Sequence, residues 1–157
     1  MHGVKIVQIE AAKTKSEICR EVLQDLPEWF GIEDANKSYM DGVKNKPMFA
    51  AYHQHELLGF YSIEEENQYT LNMYVLGVKK RYHKAGIGHA LQKAVETYAI
   101  AHKYRFLIVL TLAAKHPDQH YKLTRDFYKK EGFYPIYQND TIWDQKNPAQ
   151  IYLKTIN

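Results

Sequence analysis

Between Val78 and Ile87 the hydrophobic pattern of this chain changes period, so any fold it adopts must pass from strand to helix there. Upstream, residues 48–52, 57–63 and 69–78 read as three strands. They are separated by His53-Gln54-His55-Glu56 and by the polar run 64–68. Connections this short favour hairpins, hence an antiparallel meander. Downstream, Ile87, Leu91, Ala94, Val95, Tyr98 and Ala99 recur at helical spacing, with Gln92, Lys93 and Glu96 on the other face. The turn between them carries Lys79, Lys80, Arg81, His83 and Lys84, then Gly86 and Gly88.

The remaining elements fall around that switch. Residues 4–9 read as a first strand. Thr14-Lys15-Ser16-Glu17 has the form of a capping box and predicts a helix with Ile18, Val22 and Leu23 on one face, stopped by Pro27. A second helix is marked by Ala35, Tyr39 and Val43 and ends near Pro47. Residues 105–112 are apolar enough for a strand buried on both faces. A helix over 121–131 closes at Gly132, where a left-handed cap is usual, and residues 133–137 and 150–156 supply two more strands. With no repeat, linker or low-complexity stretch, residues 1–157 predict one α+β domain.

Charge and cysteine content exclude several classes. The 21 basic and 18 acidic residues leave a net charge of +3, too small to argue for a nucleic-acid partner by itself. Cys19 is the only cysteine, which rules out an internal disulfide framework and suits a reducing compartment. No apolar run is long enough to cross a bilayer, and no signal-peptide pattern follows Met1. A cytoplasmic protein with no membrane partner is the expectation.

A strand, a basic glycine-containing turn and a helix together make a phosphate site physically feasible. The first N–H groups of a helix have no partner within it, and the peptide dipoles leave partial positive charge there. Glycine admits close approach and backbone angles that a Cβ forbids. A diphosphate can then be held by main-chain donors, although a plain structural turn would use the same residues. The Walker pattern is absent, because Gly88 precedes His89 and Ala90 rather than Lys-Ser/Thr. The dinucleotide fingerprint is absent too, since it needs three glycines after an early parallel strand.

The stretch Val75-Leu76-Gly77-Val78 followed by Arg81-Tyr82-His83-Lys84-Ala85-Gly86-Ile87-Gly88 resembles the acyl-CoA motif of the GNAT superfamily of N-acyltransferases. The family pattern is Gln/Arg-x-x-Gly-x-Gly/Ala, and His83 stands at its first position. A second stretch, Thr124-Arg125-Asp126-Phe127-Tyr128-Lys129-Lys130-Glu131-Gly132-Phe133, is similar to the family helix that ends in an aromatic-Tyr and a Gly-Phe. Many members carry an asparagine seven residues before that tyrosine; here the position is Tyr121. The segment Thr141-Ile142-Trp143-Asp144 with Asn147-Pro148 resembles a subset of bacterial members.

The resemblance implies a mixed, mostly antiparallel twisted sheet, flanked by helices and splayed between its two central strands. It implies acetyl-CoA as cosubstrate, with His83, Lys84, Ala85, Gly86, Ile87, Gly88 and His89 holding the pyrophosphate. Leu76 and Val78 would offer main-chain groups to pantetheine, with a bulge or a close backbone approach at Gly77, where a glycine that merely relieves packing is the equal alternative. Tyr128 would be the general acid for the departing thiolate, since phenol and thiol have comparable reference pKa values; the ordinary alternative is a core aromatic. The acceptor would be a primary amine of a small molecule or peptide, and a homodimer through terminal strands is consistent with the family.

Other candidates have ordinary explanations beside the functional one. Glu28 and Glu33 flank the segment that would line the acceptor side and are candidate bases through water, or simply solvated carboxylates. Trp29, Phe30 and Trp143 are candidate acceptor-pocket walls, or core aromatics. His116 and His120 lack a cysteine or carboxylate set at ligand spacing, so no metal is expected. Two rival functions remain at this point: a non-catalytic acyl-CoA-binding regulatory module, and a nucleic-acid-binding protein using the basic residues from Lys79 to Lys84.

Overall fold

The structure, a computed structural model, describes residues 2–112 and 119–156. Its elements in chain order are β1 (Val4–Ile9), α1 (Ala12–Gln24), α2 (Glu33–Gly42), β2 (Met48–His53), β3 (Glu56–Asn67) and β4 (Thr70–Val78). There follow α3 (Ile87–Ala101), β5 (Phe106–Leu112), α4 (Gln119–Lys130), β6 (Tyr134–Asp144) and β7 (Asn147–Thr155). The strands form one mixed sheet in the order β1-β2-β3-β4-β5-β7-β6. Every neighbouring pair is antiparallel except β4 and β5, which α3 joins as a parallel crossover.

The hairpins close on short-range polar chemistry. His53 pairs with Glu56 across a turn in which Gln54 is left-handed at φ 57°. The β3–β4 turn is tied by the Tyr69 N–H donating to Asn67 Oδ1 at 2.9 Å, and the β6–β7 turn by the Asn147 N–H donating to Asp144 Oδ1 at 2.8 Å.

Two apolar layers sandwich the sheet. On one face α3 buries Ile87, Leu91, Val95 and Ala99, one residue per turn, against Leu58, Tyr61, Leu71 and Leu107. On the other face α1 buries Ile18, Cys19, Val22 and Leu23 against Ala50, Phe60 and Val75. The buried strand residues of that second layer come from β2, β3 and β4, with Ile9 of β1 packed against them and none from β5 among those described. Consequently β5 is not buried on both faces: Leu107, Val109 and Thr111 are buried, whereas Phe106, Ile108 and Leu110 are only half-buried.

Three local expectations are corrected. The Thr14–Glu17 tetrad does not cap α1, which starts at Ala12 and has no side-chain cap. Ala12 and Lys13 are good helix formers, and the Lys15 N–H already donates to Ala11 O at 3.0 Å. The bulge in β4 falls at Tyr74, between the Ser62–Val75 and Ile63–Met73 pairs, and not at Gly77. Gly77 serves packing instead, because a Cβ there would come within 2.8 Å of Val22 Cγ1 on α1. β6 is also far longer than residues 133–137. It is an edge strand with Tyr134 73% exposed and Ile136, Tyr137, Ile142 and Trp143 exposed beside it.

α4 ends as its sequence requires. Gly132 sits at φ 97°, and the Phe133 N–H donates to Tyr128 O at 3.0 Å.

Candidate functional site

The central strands part almost as soon as they meet. β4 pairs with β5 over Thr70–Asn72 and Phe106–Ile108 alone, although β4 runs on to Val78 and β5 to Leu112. Beyond Asn72 the β5-facing main chain of β4 is therefore outside the ladder. Leu76 and Val78, both half-buried, lie along this opening. On their other side they pair with Tyr61 and Gly59 of β3.

The chain leaves β4 through a basic segment whose charge is largely consumed internally. Lys79 pairs with Glu21 and Lys80 with Glu28, both at 2.5 Å, while the Lys80 N–H donates to Asp25 Oδ2 at 2.7 Å. Arg81 lies over the Tyr82 ring at 5.1 Å. The hydrogen bond from Lys80 lowers the pKa of Glu28, which makes its exposed carboxylate a weak base. Carboxylates of α1 and of the segment just after it thus answer Lys79 and Lys80. An open groove of about 460 Å³ beside them is lined by Glu21, Gln24, Asp25, Glu56, Lys79 and Arg81, charges of both signs. Lys84 makes no ion pair among the described residues.

The glycine turn places α3's N-terminus at the mouth of the splay. Lys84 and Gly86 both adopt left-handed angles, φ 61° and 83°. Gly86 is the N-cap residue and no side chain caps the helix, so its first N–H groups remain available. A Cβ added at Gly86 would meet nothing within 4 Å, so the space over the cap is open. Gly88 is different: a Cβ there would stand 2.9 Å from Phe127 Cε1, and its absence lets α3 close on α4.

The loop's histidines turn away from this space. His83 Nε2 lies 2.7 Å from Val78 O and so closes the turn on itself. His89 Nδ1 is 2.9 and 3.0 Å from the two carboxylate oxygens of Glu131, a residue only 8% exposed at the end of α4.

Tyr128 is 4% exposed in the apolar cluster against which Leu76 and Val78 pack, with ring contacts to Phe127 at 5.2 Å and Phe133 at 5.3 Å. Desolvation pushes its phenol up to about 12, against a smaller opposing effect from the Tyr61 hydroxyl. A phenol in that state is neutral and able to donate at physiological pH.

The acceptor-side candidates do not form one pocket. Trp29 spans the gap between the two motifs: its ring meets His83 edge-on at 5.5 Å and His120 at 4.8 Å. Its Nε1–H donates to His120 O at 3.0 Å, and the Tyr121 hydroxyl donates to Trp29 O at 3.2 Å. The residue at the family's asparagine position therefore ties down the loop after α1. Phe30 packs on Tyr39 at 5.9 Å, beneath α2. Glu33, its side chain 84% exposed, pairs only loosely with Lys37 at 3.6 Å. Trp143 projects from the β6 edge. His116 lies outside the described residues, and among those described no three His, Cys, Asp or Glu side chains gather as a metal site.

Sequence reasoning overlooked Tyr61 and the Trp29 contacts. Neither sits in a motif, and both depend on elements distant in the chain.

Comparison with known proteins gives a consistent picture. A family model described as an acetyltransferase (GNAT) domain matches residues 14–143. No curated protein matches the sequence. A crystal structure of a GNAT-family acetyltransferase from Desulfovibrio desulfuricans is similar with a TM-score of 0.83 at 17% identity, covering 98% of this chain and 99% of that one. The ribosomal-protein-S18-alanine N-acetyltransferase from Escherichia coli gives 0.77 at 13% identity, covering 98% and 94%. A GNAT acetyltransferase from Elizabethkingia anophelis with acetyl-CoA bound gives 0.73 at 15% identity, covering 99% and 100%.

Proposed function

The chain belongs to the GNAT acetyltransferase family and is an acyltransferase; from that premise we propose that it moves the acetyl group of acetyl-CoA to a primary amine of a small molecule or peptide. The observation that carries this reading is an open, uncapped, left-handed helix start at Gly86, set at the mouth of a splay that pairs for only three residues, with Tyr128 in the apolar cluster against which Leu76 and Val78 pack. The Elizabethkingia relative, which holds acetyl-CoA on the same fold, supports the donor assignment.

In this reading the pyrophosphate rests on main-chain N–H groups of residues 84–89, with Lys84 the charged side chain left to approach it. His89 contributes through its backbone, because Glu131 engages its ring, whereas the His83 N–H donates to Lys80 O at 3.2 Å and its ring engages Val78 O, so His83 holds the turn. Pantetheine runs along Leu76 and Val78, where β4 is unpaired on its β5 side. The neutral amine nitrogen attacks the thioester carbonyl carbon, forming the C–N bond. The tetrahedral adduct collapses with cleavage of the C–S bond. Tyr128 O–H delivers its proton to the leaving sulfur, and the proton shed by the amine passes to solvent on the acceptor side. Holding both substrates in one cleft contributes several kcal/mol, roughly 7–11 at best, through positioning alone.

The internal pairing of Lys79 and Lys80 weighs against a nucleic-acid function. Saturating acetyl-CoA is expected to raise the melting temperature by on the order of 5–10 °C at about 100 Kd. The shift should persist in high salt, and duplex DNA or RNA should give none. A shift with nucleic acid that disappears with salt would instead mark phosphate-backbone binding.

A further inference from the structure

Glu131 follows the last residue of α4 and keeps its carboxylate almost wholly out of water, with the side chain 6% exposed. Among the described residues its only side-chain partner is His89, whose Nδ1–H straddles both oxygens at 2.9 and 3.0 Å. Lys154 does not share that duty. Its Nζ pairs with Glu96 at 2.8 Å and donates to the Glu131 main-chain carbonyl at 2.7 Å. Neither position suits its own helix. A carboxylate at the end of α4 faces the negative pole of that helix, and a histidine as third residue of α3 offers no anion to the free N–H groups there. Burying a carboxylate is costly as well, and an apolar residue would avoid that cost. What the two residues do achieve is a contact between helices.

We infer that Glu131 is a positioning residue for acyl transfer: through His89 it holds the α4 turn that carries Tyr128 in fixed register with the α3 start that receives the pyrophosphate. The inference rests on the reading of that helix start as the pyrophosphate seat and of Tyr128 as the acid. In that reading the cosubstrate is located by α3, whereas the proton it needs is located by α4. The distance from the phenol to the sulfur then depends on how the two helices sit against each other. Two contacts set this, and they bracket Tyr128 in the chain. Gly88 of α3 packs against Phe127, and His89 bonds Glu131. The first contact is apolar and lets the helices slide; the second is directional and fixes the register. α3 itself is anchored on the sheet by Ile87, Leu91, Val95 and Ala99, so loosening the tie displaces Tyr128 and leaves the pyrophosphate seat in place.

Steady-state kinetics of Glu131→Ala and Glu131→Gln, well below their melting temperatures, test the idea. Glu131→Ala removes the acceptor of the Nδ1–H and is expected to lower kcat about tenfold with KM for acetyl-CoA unchanged. Glu131→Gln keeps an acceptor oxygen there, and its kcat should stay within about twofold of wild type. His89→Ala breaks the same contact from its exposed side, which keeps the test open if Glu131→Ala does not fold. It should lose kcat alike, and the double variant should be no worse than either single one. Wild-type kcat in the folded Glu131→Ala and His89→Ala proteins, with only the melting temperature lowered, makes the pair structural and overturns the inference. An equal loss of kcat in Glu131→Gln and Glu131→Ala overturns it too. In the Tyr128→Phe background Glu131→Ala should add nothing. If Tyr128→Phe retains full activity, the general-acid reading falls and this inference with it; if Tyr128→Phe is impaired while Glu131→Ala and His89→Ala turn over normally, only the inference falls.

Discussion

Tyr128→Phe is expected to cut kcat for acetyl transfer by about 10²–10³-fold while leaving acetyl-CoA affinity within about twofold of wild type. The substitution removes one oxygen from a side chain that is 4% exposed and packed on Phe127 and Phe133, so its aromatic contacts survive. What it removes is the proton that must reach the departing sulfur. Desolvation pushes the phenol up to about 12, above its ordinary value of 10.0, so it is protonated across the working range. The sign of the pH dependence follows: raising the pH deprotonates the amine and accelerates attack, and Tyr128 imposes no falling limb between about pH 7 and 10. A kcat–pH profile of wild type and variant checks both statements. Unchanged turnover in Tyr128→Phe would remove the residue from the chemistry.

Gly86→Glu is expected to weaken acetyl-CoA binding about 100-fold or more, far beyond the effect of His83→Ala. The residue sits at φ 83°, where any side chain adds strain on the order of 1–3 kcal/mol. Its Cβ would also project into the open space over the helix start, and a carboxylate there repels phosphate. His83 by contrast spends its Nε2 on Val78 O, so its removal loosens the turn without taking a donor from the ligand. Titration calorimetry with acetyl-CoA ranks the two. The opposite order would mean that side chains hold the pyrophosphate. Gly88→Glu belongs to another category, because it collides with Phe127 and should lower the melting temperature as well.

Most of the architecture was legible because it depends on local pattern. The meander, the switch to helix at Ile87 and the Gly132 cap each follow from periodicity or turn chemistry within a dozen residues. Errors arose where a local signal met a tertiary constraint. The capping box at Thr14 had the right residues, but the chain leaving β1 enters the helix three residues earlier, with Ala11 at the N-cap position. Of the readings open for Gly77, packing is the one the structure matches, since a Cβ there would collide with Val22 of α1, and the register slips at Tyr74 instead. β6 was truncated because Gln138, Asn139 and Asp140 look like a loop, whereas a polar edge strand pairs only on one side.

At the site, the glycine turn and the Tyr128 helix were readable as motifs, since backbone demands force residue choice there. The clasp of Trp29 with His83, His120 and Tyr121 was not, because it joins segments about 50 and 90 residues apart through ring contacts and carbonyls that leave no spacing rule. The same holds for the ion pairs from Glu21 of α1 to Lys79 and from Glu28, beyond α1, to Lys80. They turn an apparent anion-binding patch into an internal salt-bridge set.

The most direct measurement is release of CoA thiol from acetyl-CoA, followed with the purified chain across polyamines, aminoglycosides, amino acids and N-terminal peptides. Thiol is expected to appear with one class of amine, in step with the acetylated product, and at background rate when no acceptor is added. Acetyl-CoA bound tightly with no thiol released by any amine in the panel would contradict the account of this chain as an N-acetyltransferase.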